Sequence, residues 1–414
     1  MTINEPKESL SIENILKLGL TKEEFEEFSN DKPNEVMDYV DINPEMVVAR
    51  IKHDCKLLNI EQFKEFAAKK GQYLIMRMVN FIQLLDKDRV EPTPFFKKYY
   101  RSYKGEDLNN KSVLCWVYNA GIGDMLFQQA IIRHLKIKYP RMHFTFAVPQ
   151  QYIEFIKSWG IIDRVIPNVF EVSHFMNADY HLNFEFVIRS KRGFEENVYK
   201  CFADRAFLKI GFHDAYPSIP TLPEAKLYWK NILKKKNINN FIICQFTSAN
   251  KMRNPRPKFR GDILNKLIKE GYKIVFVDHP SKNEDINKLI KHSKNPKQCF
   301  NFTNKSDTLV TSAALMSMAD LVLSVDTGAI HMAAALGIPA YGIYGPFNGY
   351  IRLATYPNCK WIDPIGLDCI PCLEHDLEAC DNHSQGYPKC YDLLDQDKII
   401  KEIKVLLPST NEGG

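Results

Sequence analysis

The stretch DLVLSVDTGAIHMAAALGIPAYGIYGP (residues 320–346) decides the fold. It begins with an apolar run of strand length, passes through the polar turn DTG, continues as the alanine-rich segment AIHMAAALG, and ends in a second apolar run. Strand, turn, helix and strand in this order predict a βαβ unit of a parallel sheet. The same alternation recurs in the chain before this stretch, so we expect an α/β protein.

Two sets of alternating strands and helices lie on either side of Pro223. The first set begins at VLCWVYN (113–119), and the second begins at FIICQFTS (241–248). Two consecutive sets of this size predict two Rossmann-like domains that face each other across a cleft. We place the first domain at residues 106–225 and the second at residues 226–414.

The first part of the chain has a different pattern. IEQFKEFAAKKGQYLIMRMVNFIQLL (60–85) carries apolar residues at helical spacing, interrupted once at Gly71. This spacing predicts an added N-terminal helical domain over residues 1–105, without recognisable chemistry.

Composition excludes several classes of protein. The formal charge of +5 is small for 414 residues and no dense basic stripe occurs, so no nucleic acid partner is expected. The N-terminus is polar rather than a secretory signal, and no segment approaches the roughly 20 apolar residues that span a bilayer. We therefore expect a cytoplasmic protein, with peripheral contact to a membrane still compatible.

The polar turn of the opening stretch is a candidate anion site. A helix start exposes unpaired N–H groups and a partial positive charge. Thr327 adds a hydroxyl, Gly328 permits close approach, and His331 follows about one turn later. These residues make a plausible cradle for a diphosphate. An ordinary capped helix with a core histidine fits the same spacing.

The turn NAGIGDM (119–125) is the matching feature of the first set. Ligands of open α/β sheets collect at the carboxyl ends of the strands, and Gly121 and Gly123 would let a substrate approach the backbone there. Asp124 stands at the mouth of the following helix. Position alone leaves two roles for Asp124, a helix cap or a catalytic base facing the cleft.

A basic loop follows the strand at 241–248. QFTSANKMRNPRPKFRGDIL (245–264) carries five cations, and its prolines stiffen the loop. The cations are Lys251, Arg253, Arg256, Lys258 and Arg260. Cations beside an anion cradle suit a diphosphate leaving group, although a solvated basic loop explains the same residues.

Five of the ten cysteines crowd into residues 359–390. Cys369 and Cys372 form a C-x2-C pair, and Cys380 and Cys390 follow it, which suits a tetrahedral thiolate site. The spacing favours a structural metal, zinc or iron, over disulfides or unliganded thiols in a reducing compartment.

Taken together, GIGD after the first strand, the basic loop and DTGAIHMAAALGIPAYGIYGP resemble glycosyltransferase family 9 over roughly residues 112–405. This family comprises the bacterial heptosyltransferases that act on lipopolysaccharide and, in one branch, on autotransporter adhesins. The resemblance implies a GT-B fold and an inverting transfer from a nucleotide-diphosphate sugar, typically ADP-heptose, without a catalytic metal. Similar cysteine knuckles occur in the family, and the adhesin-modifying branch binds iron in one.

The resemblance also implies roles for individual residues. Asp124 would be the general base, Thr327, Gly328 and His331 would hold the diphosphate, and Asp326 would support their turn. Thr247 and Lys251 would reach the donor from the facing loop. The chain departs from the family at KMRNPRPKF, where a lysine followed two residues later by tryptophan-proline is usual. Lys251, Arg253 or Arg256 is then the candidate for that lysine's part.

The expected function is therefore that of a glycosyltransferase with a glycolipid or a protein as its acceptor. The added N-terminal region favours the protein-modifying branch, and a homo-oligomer is compatible with the sequence. Two rival functions fit the same residues. One is a GT-B sugar-nucleotide epimerase or phosphorylase, and the other is a non-catalytic subunit that binds a nucleotide sugar.

Overall fold

The structure is a computed structural model. It describes residues 46–407, except for 60–63, 72, 78–80, 82–83, 85–87, 92–98, 118–119, 171, 185–186, 188–195, 221, 306–307, 371, 373–379 and 381–382. The chain forms two compact units. The first contains the described residues before position 119, Tyr139–Ile153 and Ile162–Asn183, and the second contains those of 119–138, Glu154–Ile161 and 184–407.

The helices and strands are numbered in chain order. The helices are α1 (Ile122–Lys138), α2 (Ile153–Lys157), α3 (Val172–Met176), α4 (Val198–Arg205), α5 (Pro223–Lys235), α6 (Pro257–Lys269), α7 (Asn283–Lys291), α8 (Leu309–Met316), α9 (Gly328–Ala335), α10 (Gly349–Leu353) and α11 (Gln396–Leu406). The strands are β1 (Met46–Arg50), β2 (Cys55–Asn59), β3 (Lys64–Ala68), β4 (Tyr73–Arg77), β5 (Ser112–Trp116), β6 (His143–Val148), β7 (Arg164–Pro167), β8 (Tyr180–Asn183), β9 (Phe241–Gln245), β10 (Lys273–Phe276), β11 (Cys299–Asn301), β12 (Leu321–Val325), β13 (Ala340–Ile343), β14 (Cys359–Ile362), β15 (His383–Ser384) and β16 (Tyr387–Pro388).

The first unit begins with four strands where a helical domain was predicted. β1 pairs antiparallel with β4, and β2 pairs antiparallel with β3. The prediction of a helical domain over residues 1–105 is therefore wrong for the residues of β1 to β4. Residues 1–45, which also belong to this prediction, lie outside the described residues.

The helical prediction failed because a short apolar run fits a strand as well as a helix turn when its pairing partner is not known. Gly71 has a φ of +81°, a left-handed conformation that suits a turn, and its N–H donates to the Ile51 carbonyl at 2.8 Å. This turn separates β3 from β4, so each run ends after five residues and pairs with a neighbouring strand.

A four-stranded parallel sheet forms the rest of the first unit, in the order β7-β6-β5-β8. The apolar run predicted as a strand from residue 113 corresponds to β5. Leu114, Trp116 and Phe175 are buried in the core of this unit.

The second unit contains a six-stranded sheet, in the order β11-β10-β9-β12-β13-β14, in which every pair is parallel. Its core is made by apolar residues of β9, β10, β12 and β13 with side chains of α6 and α11. The opening stretch forms β12, α9 and β13 as the sequence predicts. Among the helices of the described chain, none combines the length and apolar character needed to cross a membrane.

Candidate active site

The polar turn after β12 caps helix α9. The Thr327 Oγ1 accepts a hydrogen bond from the Ala329 N–H at 3.2 Å and donates to the Gln245 Oε1 at 3.3 Å. Thr327 is thus the N-cap of α9, and its hydroxyl ties the end of β12 to the end of β9. Asp326, just before it, is buried. The cap is shown, and contact of Thr327 with a diphosphate stays a prediction.

The start of α1 lies against the start of α9 in the same compact unit. A Cβ placed on Gly328 would lie 1.5 Å from the Ile122 Cγ2, and one placed on Gly123 would lie 2.7 Å from the His331 Cδ2. Gly123 and Gly328 are therefore required by close packing of two helix starts. The sequence had instead suggested that both glycines allow a substrate to approach the backbone.

Asp124 lies in the first turn of α1, partly buried beside this contact. The Gly121 N–H donates to its Oδ2 at 2.8 Å, so the carboxylate does cap the helix start. Burial raises the pKa of Asp124, while the Gly121 hydrogen bond and the charges of Arg352 and Arg253 act in the opposite direction. A carboxyl with a raised pKa in the first turn of a helix suits a general base, and this role of Asp124 stays a prediction.

His331 is buried and belongs to a chain of hydrogen bonds. Its Nδ1 lies 2.8 Å from the Tyr356 Oη, and the Tyr199 Oη donates to the same Tyr356 oxygen at 2.9 Å. Phe127 packs its ring edge-on against His331 and Tyr199. Burial lowers the pKa of His331 to about 3, so the imidazole is neutral at physiological pH.

The hydrogen bonds also fix which nitrogen of His331 carries the proton. Because the Tyr356 oxygen accepts a hydrogen bond from Tyr199, its own O–H is available to donate to the Nδ1 of His331. If Nδ1 carried the proton instead, one of the two buried tyrosine O–H groups would have no acceptor among the described residues, which costs about 1–3 kcal/mol. The neutral imidazole therefore carries its proton on Nε2, beside Gly123, where it can donate to an oxygen of a ligand.

The basic loop after β9 is largely committed to internal partners. The Arg253 Nε lies 3.3 Å from the Asp326 Oδ2, and its guanidinium carbon lies 4.8 Å above the Phe347 ring. Arg256 pairs with Asp392 at 2.6 Å. Of the three predicted candidates for the diphosphate cation, Lys251 is the one whose side chain is exposed.

Thr247, the other predicted donor residue of this region, donates from its Oγ1 to the Asp278 Oδ2 at 2.7 Å. Asp278 follows β10 at the same edge of the sheet, and burial raises its pKa. Sequence reasoning missed Asp278, although its place just after an apolar strand run in KIVFVDHP was a readable signal.

Arg352 and Tyr356 were also missed. Both follow the opening stretch, in and just after the short helix α10, and both are buried. Neither belongs to a pattern with a recognisable spacing, so nothing in the sequence indicated that they lie beside His331.

The four predicted metal ligands lie together. Cys369, Cys372, Cys380 and Cys390 line one pocket, with Met252, Pro346, Leu367, Ile370 and Pro388. Burial raises the pKa of Cys390 to about 12. Within the described residues, which lack 371, 373–379 and 381–382, no group of three or more potential ligands is arranged to hold a metal ion. The thiols suit zinc or iron in type, and a metal there stays a prediction.

Solved structures give the class of the fold. A glycosyltransferase family 9 protein of Veillonella parvula is 14% identical, with a TM-score of 0.58, over 73% of this chain and 98% of its own. ADP-heptose lps heptosyltransferase II of Escherichia coli is 15% identical, with a TM-score of 0.57, over 72% and 98%. The iron-containing dodecameric glycosyltransferase TibC of enterotoxigenic E. coli is 11% identical, with a TM-score of 0.50, over 87% and 93%. At these identities the likeness establishes the fold, which is that of the GT-B enzymes.

Residues 211–373 match the family model of glycosyltransferase family 9 (heptosyltransferase). This part of the chain is thus a glycosyltransferase family 9 domain, and the protein is a glycosyltransferase. The resemblance predicted from the sequence is confirmed. A comparison with curated protein sequences found no match.

Proposed function

We propose that the protein transfers a heptose from ADP-heptose to a hydroxyl of a glycolipid or protein acceptor, with inversion at the anomeric carbon. The observation that carries the proposal is the packing of the α1 start against the α9 start. It brings the Asp124 helix turn beside His331 and the start of α9. A base and an anion site in such proximity are what an inverting displacement requires.

Asp124 acts as the general base. As the acceptor oxygen attacks the anomeric carbon, the acceptor proton passes to the Asp124 carboxylate and the bond from that carbon to the diphosphate oxygen breaks. Burial supports this role because it raises the basicity of the carboxylate. The charges of Arg352 and Arg253 act against this rise in the pKa of Asp124 and so favour its ionised form.

The leaving diphosphate takes up the negative charge that develops in the reaction. The start of α9 supplies backbone N–H groups and a partial positive charge, and the Nε2–H of His331 supplies a neutral donor. Thr327, Gly328 and Asp326 hold this turn in place, and Lys251 adds an exposed cation. These groups supply electrostatic stabilisation without a catalytic metal.

A structural metal on the cysteine segment belongs to the same proposal. Cys369, Cys372, Cys380 and Cys390 would hold zinc or iron, which would fix the loop after β14. Metal analysis of the purified protein tests this. The Cys369→Ser and Cys390→Ser variants should lose the metal, while Cys359→Ala should keep it because Cys359 lies in β14, outside the pocket. A metal-free wild type would contradict the assignment.

Replacement of Asp124 by asparagine tests the base. Because general base catalysis contributes about 10²–10⁴-fold, we expect turnover to fall by at least about 100-fold. Affinity for ADP should stay equal or become tighter, since a negative charge near the diphosphate is removed. Asp262→Asn, which removes a carboxylate paired with Lys258 on the surface, should change neither quantity. Full turnover in Asp124→Asn would exclude the assignment.

The donor is tested by thermal stability in the presence of ADP, UDP, GDP, CDP or ADP-heptose. A ligand that binds only the folded state raises its stability by mass action. We expect ADP to raise the melting temperature and ADP-heptose to raise it further. Stabilisation by UDP or GDP alone would show that the donor carries a different nucleotide. No response to any nucleotide would favour a non-catalytic protein.

Acceptor class is tested by supplying a lipid-linked oligosaccharide core and an adhesin fragment in turn. The similarity to TibC covers 87% of the chain, whereas the similarity to the other two structures covers 72–73%. This greater coverage supports a protein acceptor. Incorporation of labelled heptose only into lipid would exclude the protein acceptor. Light scattering of the same sample gives the oligomeric state.

A further inference from the structure

Arg352 is a buried cation without a partner. It lies in α10 and its exposed fraction is 7%. Its guanidinium makes no hydrogen bond and no ion pair with any of the described residues. Other buried or half-buried arginines of this unit are paired: Arg253 with Asp326, Arg256 with Asp392, and Arg260 with Asp285.

Arg352 faces the candidate active site. Its charge acts on Asp124 more strongly than that of Arg253, and it also acts on His331 and on Tyr344. The Asp124 carboxylate does not neutralise it by direct contact, since the two form no ion pair. The cation therefore lies near the base and the anion site without being engaged by either.

Two buried hydroxyls beside the same segment also lack a partner. The Tyr344 Oη follows β13 and is fully buried, and the Thr355 Oγ1 follows α10 and is 3% exposed. Neither oxygen has a hydrogen-bond partner in the described chain. Tyr344 interacts electrostatically with both Arg352 and Asp326, so its hydroxyl belongs to the surroundings of the site.

Most of the Arg352 residue is buried, yet no nitrogen of its guanidinium is among the fully buried polar atoms that lack a partner, so the group keeps contact with solvent. Folded proteins pair most of their buried charges, so a largely buried guanidinium that has no partner in the described chain is available to a ligand. The partner must be an anion. The planar fork of arginine suits the oxygens of a phosphate group, to which it donates two parallel hydrogen bonds.

We propose that Arg352 binds the diphosphate of the sugar-nucleotide donor. This inference rests on the proposed function, and it adds a cation that neither the sequence pattern nor the basic loop provides. Before the donor binds, the Arg352 charge acts on Asp124. After the donor binds, its charge and hydrogen bonds serve the diphosphate, whose charge grows as the sugar leaves.

Binding of inorganic pyrophosphate and of ADP, measured by calorimetry on the full chain, tests the proposal. Hydrogen bonds to charged groups are strong, so Arg352→Met should weaken both ligands by about 10- to 100-fold. Adenosine, which carries no phosphate, should bind the variant as it binds the wild type. Arg260→Met is the matched control, because Arg260 is equally buried but is paired with Asp285 outside this cluster.

Measuring the stability of the unliganded variants distinguishes an effect on ligand binding from an effect on folding. Arg352→Met should leave the unliganded protein as stable as the wild type or more stable, because it removes an unpaired buried charge. Arg260→Met should lower stability and leave pyrophosphate binding unchanged. Arg352→Gln provides a second neutral variant.

Three results would overturn the proposal. They are pyrophosphate and ADP binding by Arg352→Met within twofold of the wild type, failure of the wild type to bind pyrophosphate, and failure of both neutral variants to fold. The last would show that Arg352 serves the unliganded fold. Pyrophosphate binding that depends on Arg352 in a protein that transfers no sugar would support this inference and refute the proposed function.

Discussion

Gly328→Ala is the most direct test of the packing that forms the site. A Cβ at this position would lie 1.5 Å from the Ile122 Cγ2, whereas ordinary contacts begin near 3.4 Å. The α1 and α9 starts would have to separate by about 2 Å, or Ile122 would have to change its rotamer. Gly328 does not have a positive φ, so the substitution introduces no backbone strain.

The net change follows from two opposing effects. Alanine in a helix is favoured over glycine by about 0.5–1 kcal/mol, which stabilises the variant. Overpacking of a close contact costs about 1–3 kcal/mol. We therefore expect Gly328→Ala to lower the free energy of unfolding by about 1–2 kcal/mol, and to weaken ADP binding because the anion site is displaced.

Equilibrium unfolding in urea measures this change, with Gly261→Ala as the control. Gly261 lies inside α6, and a Cβ there would meet nothing within 4 Å. That variant should be about 0.5–1 kcal/mol more stable than the wild type. Adding Ile122→Ala to Gly328→Ala should recover at least about 1 kcal/mol of coupling energy. A Gly328→Ala protein as stable as Gly261→Ala would refute the close contact.

Other predictions concern the buried histidine and the base. In the ¹⁵N spectrum His331 should show a proton on Nε2; Tyr356→Phe should mix the tautomers while Tyr199→Phe preserves them, and an unchanged spectrum in Tyr356→Phe would contradict the assignment. The folded-state pKa of His331 is about 3, below its unfolded value of about 6.5. As the pH is lowered below about 6.5, the wild type should therefore lose up to about 1.4 kcal/mol of unfolding free energy per pH unit relative to His331→Gln. Urea unfolding at several pH values checks this, and parallel pH curves would contradict it. The acid limb of the pH profile of kcat/KM should move to higher pH in Arg352→Met, because the cation that lowers the pKa of Asp124 is gone. An unchanged acid limb would show that the charge of Arg352 does not affect the pKa of the base.

The parallel sheets were predictable because each strand of the βαβ units is an apolar run followed by a turn. β5, β9, β12 and β13 were all found in this way, as were α1 and α9. The region before residue 105 was not, because short segments such as CKLLN (55–59) and YLIMR (73–77) fit either a helix or a strand. Antiparallel pairing with distant partners decided in favour of strands, and pairing partners are not written in a local pattern.

The candidate site was predictable to the same extent. Asp124, Asp326 and His331 stood at strand ends and helix starts, where α/β sheets place their ligands. The contacts of Gly123 and Gly328 involve a neighbouring helix some 200 residues away in sequence, so the sequence suggested the glycines but not their cause. The sequence did not indicate Arg352 as a site residue, because the feature that singles it out is the lack of a partner in the folded structure.

The anchoring of the basic loop has a consequence for biosynthesis. The Tyr391 Oη donates to the Arg253 carbonyl at 2.8 Å across 138 residues, and the neighbouring Asp392 pairs with Arg256. A ribosome must therefore add 138 residues after Arg253 before this loop acquires the Tyr391 anchor. During synthesis, β9 and the glycine turns exist long before the loop beside them is secured. A nascent chain arrested after Ala335 and before Tyr391 carries both helix starts of the site with an unanchored donor loop, whatever the order in which its strands associate.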